Sequence, residues 1–137
     1  MALLANANSY QSFFCGGTLI AAQWVLTAGH CMFKDPKLTQ PQTADELTVI
    51  LGEHDRNSLS ESQIPRKDVQ VSKIFTHPSF SAETNNNDIA LLKLGEEVDI
   101  NTYTLSCMAM AADNFEGQQA WVYGTKILIL IKCLKII

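Results

Sequence analysis

The sequence predicts an all-β fold, and three observations support that prediction. Short runs of apolar, β-branched and aromatic residues recur along the chain, and residues 69–72 alternate between apolar and polar side chains. The segments between these runs are rich in Ser, Asn, Asp, Gln and Pro, which is typical of surface turns. No segment has a convincing helical period of apolar residues. One compact β-rich unit is therefore expected.

The individual strands are predicted from apolar runs that end at turn residues. Residues 1–4 form the first strand, and the polar residues 6–9 suit a turn after it. In the next strand, residues 13–20, the pair Gly16 and Gly17 is expected to allow a tight bend of the backbone. Further strands are predicted at residues 24–27, 47–51, 69–72 and 89–94, with polar loops at 34–46, 54–67 and 77–87.

Composition sets limits on size and partners. The chain has 137 residues, of which 47% are hydrophobic, and this is enough for the core of one domain. The net charge of -4 comes without a basic stripe, so neither nucleic acid nor an acidic membrane surface is an expected partner.

The cysteines favour disulfides over metal binding. The four are Cys15, Cys31, Cys107 and Cys133, and they form no Cys-x-x-Cys pair and no zinc-type ladder with histidine. We therefore expect an oxidising compartment, with no metal ion and no cofactor.

Three segments carry a family resemblance. Residues 14–20 read Phe-Cys-Gly-Gly-Thr-Leu-Ile, residues 24–31 read Trp-Val-Leu-Thr-Ala-Gly-His-Cys, and residues 87–94 read Asn-Asp-Ile-Ala-Leu-Leu-Lys-Leu. Together they resemble the trypsin-like serine proteases, peptidase family S1, over the N-terminal half of such a protein. The resemblance implies the first six-stranded antiparallel β-barrel of the two-barrel trypsin-like fold, in incomplete form. Residues 1–125 would be this partial domain, and residues 126–137 an apolar tail that matches nothing in the family.

The resemblance also implies catalytic roles for two residues. His30 matches the general base of the Ser-His-Asp triad, and Asp88 matches the buried carboxylate that orients this base. The family more often has alanine where this chain has Gly29, and the glycine costs some backbone rigidity. The resemblance also implies a short helical turn after His30 and Cys31. The sequence contains no Gly-Asp-Ser-Gly-Gly segment, so the serine nucleophile and the specificity pocket are not expected in this chain.

Other family features are less complete. The resemblance implies a disulfide between Cys15 and Cys31. It leaves Cys107 unpaired unless Cys133 substitutes for a partner in the second barrel.

Carboxylates and histidines outside the two family motifs carry weaker predictions. Glu53 and Glu61 fall where some relatives bind calcium, although the loop is imperfect. His54 and His77 are interpreted as surface residues at loop edges.

The two ends of the chain suggest a piece of a longer protein. Residues 1–5 lack a basic leader and the apolar stretch of roughly 7–15 residues that a signal peptide requires, so Met1 is interpreted as an internal methionine. Residues 126–137 are too short for a membrane helix of about 20 residues, and we interpret them as a loss of the protease reading frame. A diverged strand is the alternative. Secretion is expected from the family alone.

Three functions remain open at this point. The favoured one is a truncated trypsin-like serine endopeptidase that is inactive alone and whose full-length relative cleaves protein or peptide substrates. The alternative is a non-catalytic serine protease homologue that acts as a binding or regulatory module. A structural or membrane-associated peptide has only the apolar tail in its favour.

Overall fold

The computed structural model describes residues 1–7, 9–53, 64–108, 119–122 and 129–132. The chain divides into two units, Met1–Ser106 and Cys107–Ile137. In the part of the chain that is described, no helix has the length and apolar character needed to cross a membrane.

The first unit is a closed barrel of six antiparallel strands. Its strands are β1 Ala2–Asn6, β2 Ser9–Ala21, β3 Trp24–Thr27, β4 Leu47–Leu51, β5 Lys67–Thr76 and β6 Ala90–Leu94. They pair in the order β1-β2-β3-β6-β5-β4, and β4 returns to β1 to close the barrel. The predicted six-stranded antiparallel barrel is confirmed.

The core fills the barrel with inward-facing aliphatic side chains. Alternate residues of β3 and β6 are buried, as expected for strands with one face toward the interior. Leu4, Val25, Val49 and Leu92, from four different strands, meet there. Burying such side chains provides most of the favourable free energy of folding, at about 25 cal/mol per Å² of apolar surface.

The glycine pair lies within β2, which pairs with β1 as far as Gly17 and with β3 from Thr18 onward. The chain reverses after Ala21, and the bend expected at the pair stays a prediction. A Cβ atom at Gly17 would lie 2.8 Å from Cγ1 of Val25. The glycine therefore allows β2 and β3 to approach closely, and no turn is needed to explain it.

The strand predicted at residues 69–72 is too short. β5 extends over Lys67–Thr76 because it pairs with β4 through its first half and with β6 through its second half. Most side chains of β5 are exposed or half-buried, so the apolar pattern of the sequence underestimates the length of this strand. The strands β4 and β6 satisfy the backbone N–H and C=O groups of β5, and the sequence alone does not show where those groups bond.

The second unit contains a pair of antiparallel strands, β7 Gln119–Val122 and β8 Ile129–Lys132. Four residues of the predicted apolar tail therefore form a strand. The boundary between residues 125 and 126 stays a prediction.

Candidate active site

His30 lies in a single 3₁₀ turn, His30–Met32, directly after β3. The next two side chains, Cys31 and Met32, are buried and fix the turn against the core. Cys31 is also bonded to Cys15 of β2, with the two Cα atoms 6.1 Å apart. The predicted disulfide is confirmed, and the helical turn expected after residues 30 and 31 instead begins at His30 itself. A crosslink closing a loop of this size stabilises by about 3 kcal/mol.

Asp88 lies in a turn that two asparagines make possible. Asn85 and Asn87 have φ values of 54° and 55°, in the left-handed region that asparagine tolerates better than most residues. The side-chain amide of Asn87 donates to the carbonyl of Ser79 at 2.9 Å, and the backbone N–H of Ile89 donates to the Asn87 carbonyl at 2.8 Å. These bonds set the direction of the intervening Asp88 side chain just before β6 begins.

The fold brings His30 and Asp88 together across 58 positions of sequence. The backbone N–H of His30 donates to Oδ1 of Asp88 at 2.7 Å, and the ring Nδ1 of His30 lies 2.7 Å from Oδ2. Both carboxylate oxygens are thus engaged by one residue. This bond assigns the ring proton to Nδ1, which leaves Nε2 as the basic nitrogen.

Exposure differs between the two partners. The His30 side chain is 50% exposed and the Asp88 side chain 25% exposed. The imidazole can therefore meet a substrate or a second catalytic group, while the carboxylate lies partly behind it. Among the described residues, Nε2 of His30 contacts Sγ of Cys31 at 3.5 Å.

Other candidate residues fall away from this pair or outside the described residues. His77 is exposed, and its Nδ1 accepts the backbone N–H of Ser79 at 3.1 Å, so it stabilises a turn. Glu53 is described and forms an ion pair with Arg66 at 3.2 Å. His54 and Glu61 lie outside the described residues.

Sulfur chemistry near the site does not support a metal ion. Cys15, His30 and Cys31 bring their ligand atoms within 4.8 Å of one another, but the two sulfurs are joined in the disulfide. They therefore offer no thiolate to a metal. Cys107 is a free, exposed thiol, and Cys133 lies outside the described residues.

One ion pair, between Lys34 and Glu46, was not predicted from the sequence. The loop after His30 carries Lys34, whose ammonium donates to Oε1 of Glu46, and the two line a surface cavity of about 310 Å³ together with Phe14 and Phe33. The bond from Lys34, followed by the backbone N–H of Thr43, lowers the pKa of Glu46 from 4.5 to about 2. The Thr-Ala-Asp-Glu sequence of residues 43–46 was the available signal, because Ser or Thr three residues before Glu is typical of a capping box.

Sequence comparisons with known proteins match most of this chain. The family model for trypsin matches residues 1–126. Pig trypsin is 36% identical over 104 residues, covering 72% of this chain and 39% of the relative. Rat serine protease 1 is 34% identical over 111 residues, covering 81% and 39%, respectively. Mouse tryptase is 38% identical over 128 residues, covering 90% and 42%.

The chain thus spans about two fifths of the length of these relatives. The matched residues include the barrel, the disulfide and the His30–Asp88 pair. The chain belongs to the trypsin family of serine proteases.

Proposed function

We propose that this chain supplies the base and the orienting carboxylate of a trypsin-like serine endopeptidase. The observation that carries the proposal is the double contact of Asp88 with His30, at 2.7 Å to the backbone N–H and 2.7 Å to the ring. A carboxylate that holds an imidazole by Nδ1 leaves Nε2 free to take a proton, and this is the arrangement that serine protease chemistry requires. The substrate class is protein or peptide, and no cofactor takes part.

The two residues would act together, with His30 transferring protons and Asp88 orienting the His30 ring. In the acylation step, Nε2 of His30 takes the proton of a serine hydroxyl as its oxygen attacks the scissile carbonyl, and it then gives that proton to the leaving amine. Asp88 stays ionised, accepts a hydrogen bond from the Nδ1–H group throughout, and stabilises the imidazolium that forms when Nε2 holds the second proton. The half-exposed ring and the less exposed carboxylate suit these roles.

We propose that residues 1–137 alone are inactive. The sequence has no Gly-Asp-Ser-Gly-Gly segment, and within the described residues Nε2 of His30 contacts a disulfide sulfur and no serine hydroxyl. Without nucleophile and oxyanion donors, acyl-enzyme formation is not possible. A binding or regulatory module is the alternative, but it has no need for a bidentate His30–Asp88 contact.

We propose an extracellular compartment, and the crosslink supports it. The Cys15–Cys31 disulfide is stable in an oxidising environment, and this supports an extracellular location for the protein.

A chimera tests the catalytic proposal. Residues 1–125 replace the matching segment of pig trypsin, so that the relative supplies the serine. We expect ester and peptide hydrolysis, its abolition by His30→Ala, and a loss of about 10⁴-fold with Asp88→Asn, the loss established for the triad aspartate of this protease type.

The matched control is Glu83→Ala, which removes an exposed side chain of the Asp88-bearing loop and should leave the rate unchanged. The unfused chain should give no labelling with a fluorophosphonate probe. A folded chimera whose activity survives His30→Ala would refute the proposal.

A further inference from the structure

We propose that Phe80 is a positioning residue for the His30–Asp88 pair, because its ring, held against Phe33, closes the space that Gly29 leaves beside the Asp88 carboxylate. A role of Phe80 in catalysis rests on the proposed function above, whereas its effect on the His30–Asp88 contact can be measured on the chain itself.

The first observation is a convergence of groups at Gly29. This residue is buried, and a Cβ atom built on it would lie 3.2 Å from Oδ1 of Asp88, 3.2 Å from Cδ2 of Phe80 and 3.3 Å from the backbone nitrogen of Ile89. The Phe80 ring edge and the carboxylate oxygen therefore flank the same small volume. The oxygen is Oδ1, the one that accepts the His30 backbone N–H.

The second observation is the aromatic pair. The rings of Phe33 and Phe80 have centroids 5.9 Å apart at an interplanar angle of 37°. Phe33 follows the 3₁₀ turn that carries His30 and packs against the barrel core. Phe80 belongs to the loop that carries Asp88. The pair thus joins the two segments whose relative position determines the His30–Asp88 distance.

The third observation is that the loop holds Phe80 in place. The backbone N–H of Phe80 donates to the His77 carbonyl at 2.9 Å, and that of Ser81 donates to the Asn86 carbonyl at 3.1 Å. A ring on a loop closed by these bonds cannot move far without moving Asp88.

Hydrogen exchange and proton NMR of the isotopically labelled chain test the proposal. With Phe80→Ala, the His30 amide should exchange with water about tenfold faster relative to the Val49 amide of β4, because the bond to Asp88 opens more often. The downfield Nδ1 proton of His30 should weaken as well. Phe80→Tyr keeps the ring and should restore both signals.

The matched control is Phe75→Ala, which breaks the other tilted aromatic pair, Trp24–Phe75, whose centroids are 5.7 Å apart. It should leave the His30 amide within about twofold of the unaltered chain. If Phe80→Ala does not fold, Phe80→Leu takes its place, with the same expected change.

Two results would overturn the proposal: an unchanged ratio of His30 to Val49 exchange, whether or not both rates rise, or an equal effect of Phe75→Ala. None of these measurements requires a serine. An inactive chimera would refute the proposed function. If Phe80→Ala still gives the expected NMR changes, the role of Phe80 in positioning Asp88 against His30 stands.

Discussion

The two sides of the barrel differ in how they use their outer faces. On the β1–β4 side both faces are buried, because Leu3, Ala5 and Ile50 form a second apolar cluster outside the barrel core. On the β3–β6–β5 side the outer face remains open, with Phe75 47% exposed. The site lies at the end of β3 and the start of β6, on this more open side. The doubly buried strands β1 and β4 thus lie away from the site, whereas β3 and β6 contribute to the core and also position the site.

The largest expected effect comes from removing a side chain on the doubly buried side. Ile50→Ala should lower the free energy of unfolding by about 2–5 kcal/mol, because a fully buried aliphatic side chain leaves a cavity. Phe75→Ala on the open side is the matched control, and its cost should stay below about 1 kcal/mol. Urea denaturation measures both. Equal losses would contradict the difference between the two sides.

An intermediate effect is expected where β2 passes between the two sides. Gly17→Ala should destabilise by about 1–3 kcal/mol, because its methyl group would lie 2.8 Å from Cγ1 of Val25. Gly16→Ala is the control, because its nearest neighbour is the Ala2 carbonyl oxygen at 4.0 Å, and it should change stability by less than about 0.5 kcal/mol. Thermal melting distinguishes them, and a harmless Gly17→Ala would show that β2 and β3 can separate.

The smallest effect concerns the ion pair between Lys34, in the loop after the His30 turn, and Glu46, the residue before β4. The pKa of Glu46 is lowered from 4.5 to about 2, chiefly by the hydrogen bond from Lys34. A lowered pKa in the folded state means that the stabilisation is present above about pH 4.5 and is lost as the pH falls toward 2.

Lys34→Met should therefore lower the urea midpoint slightly at pH 7. The difference in midpoint between Lys34→Met and the unaltered chain should shrink as the pH falls from about 4.5 toward 2. Lys37→Met removes an exposed lysine of the same loop and serves as the control. A difference that persists unchanged at pH 2 would indicate lost packing and not the ion pair.

Much of the site could be predicted from the sequence. The Thr-Ala-Gly-His-Cys and Asn-Asp-Ile-Ala segments predicted catalytic roles for His30 and Asp88, which lie in contact, and those roles stay predictions. The family pattern predicted the Cys15–Cys31 bridge, which is confirmed. Phe80 was missed because a single phenylalanine in a polar loop has no periodic neighbours. Its importance depends on Gly29 and Phe33, which are distant in sequence and meet it only in the folded chain.

The sequence by itself determined the all-β class, most strand positions, and the family, because alternating side chains and specific short segments are local properties. Tertiary structure decided the length of β5, the close approach of β2 and β3 at Gly17, and the double contact of Asp88 with His30. Each of these depends on which strands become neighbours when the barrel closes. That choice joins residues 58 positions apart, and no local pattern can specify the distance between them.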